Sequence, residues 1–372
     1  MSPLLSRLPK LKNLGISVLN ALIPVVAAFL IGAMIIALLG EDPLATYQFM
    51  ISSTLLDTGG LLKTLHFASP LILTGLAIAV TFKANIFNMG VEGQLLGGAF
   101  AAGILGFSLQ GLPPVVHVTL CLLVGVLVGM VLAAVPAVLR AYFHVNEMVV
   151  TLMLNYAIIE ILRVLSQSVF RDPASGYVST PAVADSAMFT RLFGTSLTLF
   201  FPVTLVAFAA MYVLFRRSRL GYEITSMGIN PDFAEASGMN VRRKVMTIML
   251  ISGALSGLAG AGFMLSEKFK YTLDFSANPG LGWDGMLISL LGSHSPIGIL
   301  IAAIFYAALK TGADAISIFS NVPKEIVSVI QGLMILLLSI RYLRRSPDAF
   351  RLIGGRKPGK AASDEPKKAV SA

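Results

Sequence analysis

Long apolar runs, separated by short polar stretches, recur along the whole sequence. Many of these runs approach the ~20 residues that an α-helix needs to cross a bilayer. Hydrophobic residues make up 56% of the 372 residues and charged residues only 13%, well below the charged fraction of a soluble domain. Segments of about ten residues with alternating polarity, which are typical of outer-membrane barrels, do not occur. The pattern therefore predicts an all-α polytopic membrane protein.

The basic residues are concentrated in three places. Of 28 Lys and Arg, three lie in the N-terminal leader, six lie at the two ends of residues 216–244, and nine follow residue 340. Such an excess of positive charge is typical of cytoplasmic segments, so both termini are predicted to be cytoplasmic and the number of spans to be even. The same placement argues against nucleic acid as the partner that explains the net charge of +9.

Ten transmembrane helices satisfy the charge rule at all three basic clusters. The predicted spans are residues 14–39, 63–82, 91–109, 115–139, 147–170, 197–215, 245–265, 283–292, 297–311 and 324–340. The span at 283–292 has about half the usual length, so a discontinuous helix is an alternative to a full crossing there. Residues 1–345 are predicted to form one transmembrane domain, and residues 346–372 a disordered, basic cytoplasmic tail.

Short motifs recur in the same order in the two halves of the chain. F-x-A-N occurs at 82–85 and 275–278, and G-x-acid-G occurs at 90–93 and 282–285. These matches predict a 5+5 repeat whose second unit is inverted, because each unit has an odd number of spans. The first G-x-acid-G is then expected at the inner end of its span and the second at the outer end. Inverted repeats are a common architecture of transporters.

The stretch Thr81–Gly103 places polar side chains between two apolar runs. Polar groups are costly in hydrocarbon and are kept where protein or water meets them. The candidates for a substrate path, here and elsewhere, are Asn85, Asn88, Glu92, Gln94, Asn146, Asn155, Asn278, Trp283 and Asp284. Amides and one aromatic ring suit a neutral hydroxylated or heterocyclic ligand. Helix capping and helix–helix contacts are the alternative for each residue.

The largest predicted inner loop, residues 216–244, contains the signals of a short helix. Asn230 suits the N-cap and Pro231 the first helical position. Asp232 suits the first turn, and Gly238 suits the left-handed position after the helix ends. A capped helix that projects from the membrane can insert into a groove on a partner and pass on a rigid-body motion.

Three stretches carry a family resemblance. They are FKANIFNMGVEGQLLGGAFAAG (82–103), NEMVVTLMLNY (146–156) and GWDGMLISLLGSHSPIGIL (282–300). They resemble the permease subunits of bacterial ABC importers of the ribose and branched-chain amino acid group, and within it the simple-sugar and nucleoside branch. The resemblance implies a subunit of about ten helices that pairs with a second permease, a cytoplasmic ABC ATPase, and an external substrate-binding protein or lipoprotein.

The resemblance also implies that residues 220–241 form the segment that couples the permease to the ATPase. The candidate coupling residues are Gly228, Asn230, Pro231, Asp232, Glu235, Ala236 and Gly238. The chain has no Walker A sequence, so ATP is expected on the partner ATPase and no cofactor on this chain. The four histidines have no metal-ligand spacing, and no metal site is expected.

The sequence is therefore interpreted as a transport subunit, not an enzyme, of a bacterial plasma-membrane importer that works by alternating access. Nucleosides are the first candidate cargo and simple sugars the second. Two other classes stay open. An ion-coupled secondary transporter would need no large inner docking loop. A membrane-embedded lipid-linked transferase would need clustered acids or histidines on one membrane face.

Overall fold

The computed structural model describes residues 23, 25–276, 279–319, 325–333 and 337, and this part of the chain is predominantly helical. The helices are α1 (Val25–Leu38), α2 (Pro43–Ile51), α3 (Thr58–Phe82), α4 (Val91–Ser108), α5 (Pro114–Phe143), α6 (Glu147–Ser168), α7 (Phe200–Arg217), α8 (Arg219–Ile229), α9 (Pro231–Ala236), α10 (Val241–Phe263), α11 (Leu273–Ser276), α12 (Leu281–Leu291), α13 (Pro296–Phe319) and α14 (325–333). Two π-helical segments, Ser52–Leu56 and Met264–Lys268, follow α2 and α10. The predicted all-α class is confirmed.

Several helices are long and apolar enough to cross a membrane. They are α3, α5, α6, α7, α13 and α10 together with its π-helical extension. These helices support a multi-pass membrane protein. The count of ten spans and the inverted repeat stay predictions, because α1 and α12 are shorter apolar helices and the last predicted span is described only in part. The basic tail, residues 346–372, lies outside the described residues.

Of the two shortest predicted spans, one matches the helix observed and the other does not. The span predicted at 283–292 is the 11-residue helix α12, about 16 Å long, which is about half the thickness of the hydrocarbon core. The span predicted at 297–311 was too short, because α13 continues to Phe319. The predicted span ended one residue after Lys310, whereas Lys310 is paired with Asp284 and the helix continues past it.

The chain divides into two units. One consists of Met1–Gly32 and Ser328–Ala372, and the other of Ala33–Val327. Helices α2 to α13 belong to the second unit, which contains every group discussed below.

Within this unit, helices differ sharply in burial. The apolar windows of α3 and α10 are 83% and 78% buried, whereas those of α5, α6 and α7 are 22%, 22% and 17% buried. Aliphatic side chains such as Leu123, Leu127 and Val131 are exposed on α5. Helices α3 and α10 therefore form the protein core, and the aliphatic surface of α5 to α7 is of the kind that suits contact with lipid tails.

Helices α5 and α10 approach each other through glycines. A Cβ atom on Gly257 would lie 2.2 Å from the carbonyl oxygen of Gly125, and one on Gly129 would lie 2.2 Å from the carbonyl oxygen of Gly253. The spacing of four residues on each helix is the small-xxx-small pattern that lets membrane helices pack backbone to backbone. The two glycine pairs thus fix the distance between these helices.

We expect Gly257→Ala to destabilise the protein by about 1–3 kcal/mol, because the new methyl group would overlap backbone that cannot move independently. The matched control is Gly103→Ala in α4, where the nearest atom to the new Cβ would be a Met264 side-chain atom at 3.6 Å. Thermal unfolding of the detergent-purified protein measures both variants. Equal melting temperatures for the two would contradict the close packing described here.

The segment between α6 and α7 is anchored at several points. The backbone N–H of Thr180 donates to the carbonyl of Tyr271 at 3.0 Å, and that of Val183 donates to the carbonyl of Phe269 at 2.9 Å. The N–H of Ala184 donates to the carbonyl of Gly106 at 2.8 Å, at the end of α4. The loop is therefore packed against the segment that precedes α11.

Candidate functional site

The turn between α3 and α4, residues 83–90, is the centre of the candidate site. Its first candidate residue, Asn85, is exposed and has a φ of 55°, in the left-handed region that Asn tolerates better than most residues. Asn85 therefore shapes the turn after α3. The structure does not place it with the other candidates.

Two further candidates form a buried amide pair. Asn88 Nδ2 donates to Gln94 Oε1 at 3.0 Å, and Gln94 Nε2 donates back to Asn88 Oδ1 at 3.2 Å. Asn88 Nδ2 also donates to Ser252 Oγ at 2.9 Å, and Ser252 Oγ donates to the carbonyl of Ala77 at 2.7 Å. Both amides are fully buried. This network ties the start of α4 to α10 and α3, so in this conformation its polar groups bind each other rather than a ligand.

Helix α6 holds the same turn from the other side. Glu147, Thr151 and Asn155 lie four residues apart, on one face of the helix. Glu147 Oε1 accepts from the N–H of Phe87 at 3.4 Å, and Thr151 Oγ1 accepts from the N–H of Met89 at 3.1 Å. The 146–156 motif thus acts as a support for the turn. Glu147 and Thr151 were missed as candidates, although their spacing to Asn155 was visible in the sequence.

Asn155, on the same face of α6, makes two hydrogen bonds to backbone groups at the start of α4. Its Oδ1 accepts from the N–H of Gly93 at 2.7 Å, and its Nδ2 donates to the carbonyl of Met89 at 2.5 Å. Asn146, in contrast, is an exposed N-cap whose Oδ1 accepts from the N–H of Met148 at 2.9 Å. Of the two, only Asn155 lies in the cluster.

We expect Asn155→Ala to lower stability by about 1–3 kcal/mol for each backbone group left unpaired, because both groups are buried beside the start of α4. Asn146→Ala, the same change at the exposed cap of the same helix, should cost about 1 kcal/mol. Thermal unfolding of both variants in detergent tests this order. A loss for Asn146→Ala that matches or exceeds that for Asn155→Ala would show that the buried contacts do not hold the turn.

Glu92 joins the two halves of the chain. Its side chain is 1% exposed, its Oε1 accepts from the N–H of Gly280 at 3.0 Å, and its Oε2 accepts from the N–H of Gly282. The carboxyl therefore lies in the first turn of α4 and caps the first turn of α12. Helix N-termini carry partial positive charge and unpaired N–H groups, so an anion here is stabilised from both sides.

The two G-x-acid-G motifs therefore lie in contact. The sequence predicts the first motif at the inner end of its span and the second at the outer end; the bond between Glu92 and Gly282 shows that these two ends meet, and α12 is only about half a span long. Gly282 makes this approach possible, since a Cβ atom there would lie 2.7 Å from the backbone nitrogen of Glu92. Asn278, the remaining candidate of this segment, lies outside the described residues.

The second acid of the repeat has its own partners. Asp284 Oδ1 accepts from the hydroxyl of Tyr306, and Asp284 Oδ2 lies 3.5 Å from Lys310 Nζ. Tyr306 and Lys310 lie four residues apart on α13 and were not among the sequence candidates. The signal that could have found Lys310 was a single basic residue within an apolar run, one residue before the end of the predicted span.

A small pocket lies beside Glu92, at the start of α12. It is lined by Ile78, Met89, Val91, Glu92, Gly282, Trp283 and Met286. Its volume of about 10 Å³ is about enough for one water molecule and far too small for a sugar or a nucleoside. Trp283 is 36% exposed at this position. In this conformation the pocket is closed to substrate.

The short helix predicted in the inner loop is present as α9. Asn230 Oδ1 accepts from the N–H of Phe233 at 3.0 Å, and Pro231 is the first helical residue. Asp232 lies in the first turn, and Gly238 has a φ of 84° after the end. Glu235 and Ala236 are exposed. Two apolar side chains are exposed as well, Phe233 at 63% and Ile229, at the end of α8, at 82%. The arm α8–α9 therefore presents apolar side chains to its surroundings.

This arm touches the turn after α3. A Cβ atom on Gly228 would lie 2.0 Å from the carbonyl oxygen of Lys83, so the backbones of α8 and the turn are in direct contact. Lys83 Nζ lies 4.3 Å from the ring centroid of Phe215, and burial, with Arg216 nearby, lowers the pKa of Lys83. Helix α8 therefore packs directly on the turn that carries Asn88 and leads to Glu92.

The sequence matches known proteins over most of its length. Residues 60–339 match the family model described as branched-chain amino acid transport system / permease component. The chain is 32% identical to the nucleoside ABC transporter permease protein NupB of Lactococcus lactis over 88% of this chain and 92% of that protein. It is 33% identical to the guanosine ABC transporter permease protein NupP of Bacillus subtilis, over 92% of this chain and 98% of that protein.

A third relative has a different cargo in its name. The glucose ABC transporter permease protein TsgB13 of Haloferax volcanii is 33% identical over 84% of this chain and 85% of that protein. All three relatives are transport components rather than enzymes, which confirms the family resemblance of the sequence motifs. The chain is therefore a multi-pass membrane protein that belongs to the family of ABC transporter permease components of the branched-chain amino acid type.

Proposed function

We propose that this chain is the permease subunit of an ATP-driven importer and that its cargo is a nucleoside. The observation that carries the proposal is the similarity, at 32% and 33% identity over about nine-tenths of the chain, to permeases named for nucleoside and guanosine transport. The partly exposed indole of Trp283 would supply a stacking surface, and the nearby carboxylate of Asp284 a hydrogen-bond acceptor, that suit such a ligand.

Alternating access would be driven through the arm α8–α9. A partner ATPase would bind ATP and dock on the exposed side of α9, where Phe233 is available for a groove. Its movement would pass through the contact between Gly228 and Lys83 to the turn 83–90. From there it would reach Glu92, whose bonds to α12 hold the two halves of the chain together. The coupling residues named from the sequence all belong to this arm.

The remaining partners follow from the same function. A second permease, identical or paralogous, would complete the path, and an external substrate-binding protein or lipoprotein would deliver the cargo. We further propose ten spans in a 5+5 inverted repeat, both termini in the cytoplasm of a bacterium, and membrane lipids around the exposed faces of α5 to α7. The basic tail 346–372 would stay in the cytoplasm.

A simple sugar is the second candidate cargo, because the glucose permease of Haloferax volcanii is as similar to this chain as the nucleoside permeases are. Ribose-like hydroxyls are common to both ligand classes, so polar groups alone do not separate them.

Uptake into vesicles tests both the mechanism and the cargo. The whole transporter, this chain with its ATPase and second permease, is reconstituted and supplied with the external binding protein and with labelled guanosine, uridine or glucose. We expect nucleoside uptake that requires ATP on the side of the vesicle membrane where the ATPase subunit lies. Uptake that continues without ATP would overturn the ABC mechanism, and ATP-dependent uptake of glucose alone would replace the nucleoside by the sugar.

A further inference from the structure

A charged side chain lies in an unexpected place on α13. Lys310 is about 21 Å from the first residue of the helix, at 1.5 Å per residue, and Asp284 is its partner at 3.5 Å. The helix is apolar enough to span a membrane. A lysine at such a depth is unfavourable against lipid tails and is found facing protein or a water-filled cavity.

The pairing with Asp284 does not hide this lysine. The Lys310 side chain is 43% exposed, whereas that of Asp284 is 16% exposed. Tyr306 holds Asp284 from the same helix, and the neighbouring residue Trp283 is 36% exposed. An indole, an acceptor and a cationic donor are therefore all at least partly exposed where α12 packs against α13.

The surface around Lys310 differs from the lipid-facing surface. On α5 the exposed side chains at comparable positions are aliphatic, among them Leu123, Leu127 and Val131. A buried lysine could be explained by packing, but an exposed one within a span needs water or a polar partner on its open side. The face that carries Lys310 therefore borders the aqueous path or the second permease that encloses it.

The chemistry of the three side chains indicates a ligand class. The indole of Trp283 can stack on a heterocycle, Lys310 can donate to ring nitrogens or carbonyl oxygens, and Asp284 can accept from hydroxyls. The ion pair is neutral overall, so it favours a neutral ligand over a phosphorylated one. We propose that Trp283, Asp284 and Lys310 form a water-accessible subsite of the path that binds the neutral nucleoside during transport. The choice of ligand rests on the proposed function, whereas the location in the path does not.

Cysteine accessibility tests the location. The chain has a single cysteine, Cys121, which is buried, so Cys121→Ala provides a background without thiols. In the whole transporter in vesicles, Lys310→Cys and Trp283→Cys are treated with a membrane-impermeant, positively charged methanethiosulfonate. Val131→Cys on the lipid-facing side of α5 is the matched control. We expect the first two to react at least tenfold faster than the control.

Protection by ligand tests the chemistry. Guanosine should slow modification of Lys310→Cys at least threefold, and glucose should not. If both path variants react no faster than Val131→Cys while the Cys121→Ala transporter imports guanosine, the subsite is wrong and the proposed function survives. If both react but glucose protects and guanosine does not, the location stands and the nucleoside is wrong. Because two residues are probed separately, failure of one variant to fold leaves the other as the test.

Discussion

Glu92→Gln should reduce ATP-dependent nucleoside uptake by the reconstituted transporter at least tenfold. The amide keeps the size of the carboxyl but places an NH₂ group against one of the two backbone N–H donors, those of Gly280 and Gly282. One buried donor then loses its acceptor, and the negative charge between two helix N-termini is lost. Hydrogen bonds to charged groups contribute about 1.5–3 kcal/mol, which corresponds to roughly tenfold or more in an equilibrium between conformations.

Two further variants separate charge from contact. Gly282→Ala leaves the carboxyl intact but would place a Cβ atom 2.7 Å from the Glu92 backbone nitrogen, so it should also impair uptake. Glu41→Gln, the same change in the turn between α1 and α2, is the control and should leave uptake within twofold of the wild type. Uptake is normalised to folded protein. A Glu92→Gln transporter that imports at the wild-type rate would remove the carboxyl from the mechanism.

Local signals in the sequence predicted local structure well. The helix at Pro231 has its cap, its first-turn acid and its terminal glycine where the sequence placed them, because each acts within a few residues. The ends of α4 and α6 were also close to those predicted. Asn146 is a helix N-cap, which was the alternative to a role in the substrate path. The predicted length was wrong at α13, which continues to Phe319 instead of ending at residue 311, and Lys310 within it is paired with the distant Asp284.

Contacts between distant segments could not be predicted. No pattern indicates that Asn155 would bind the backbone of Gly93, or that Ser252 would complete the bonding of Asn88. The repeated G-x-acid-G motif suggested Glu92 and Asp284 as related positions, but it gave no sign that the two motifs would touch. The contact in which Glu92 of the first motif caps α12, the helix that carries the second motif, depends on tertiary packing.

The contact between Gly228 and Lys83 leads to the second large expected effect. Gly228→Ala should reduce ATP-dependent uptake at least tenfold while the partner ATPase still binds the complex. In an exposed helix this change would be favourable by about 0.8–1.0 kcal/mol, because alanine is the better helix former. Here the new Cβ would lie 2.0 Å from the carbonyl oxygen of Lys83, so α8 must move away from the turn after α3. The opposing cost of overpacking is about 1–3 kcal/mol.

The two readouts separate a broken connection from a broken protein. The exposed surface of α9 is unchanged in Gly228→Ala, so the ATPase should co-purify at the wild-type ratio, and its ATP hydrolysis should no longer respond to the loaded binding protein. Gly176→Ala, which has no atom within 4 Å of the new Cβ, is the matched control and should behave as the wild type in both assays. Loss of the ATPase from the complex would indicate damage to the docking surface instead. Normal uptake by Gly228→Ala would mean that the close contact between the backbones of Gly228 and Lys83 is not required for transport. The movement of the ATPase would then reach Glu92 by a route other than the turn at Lys83.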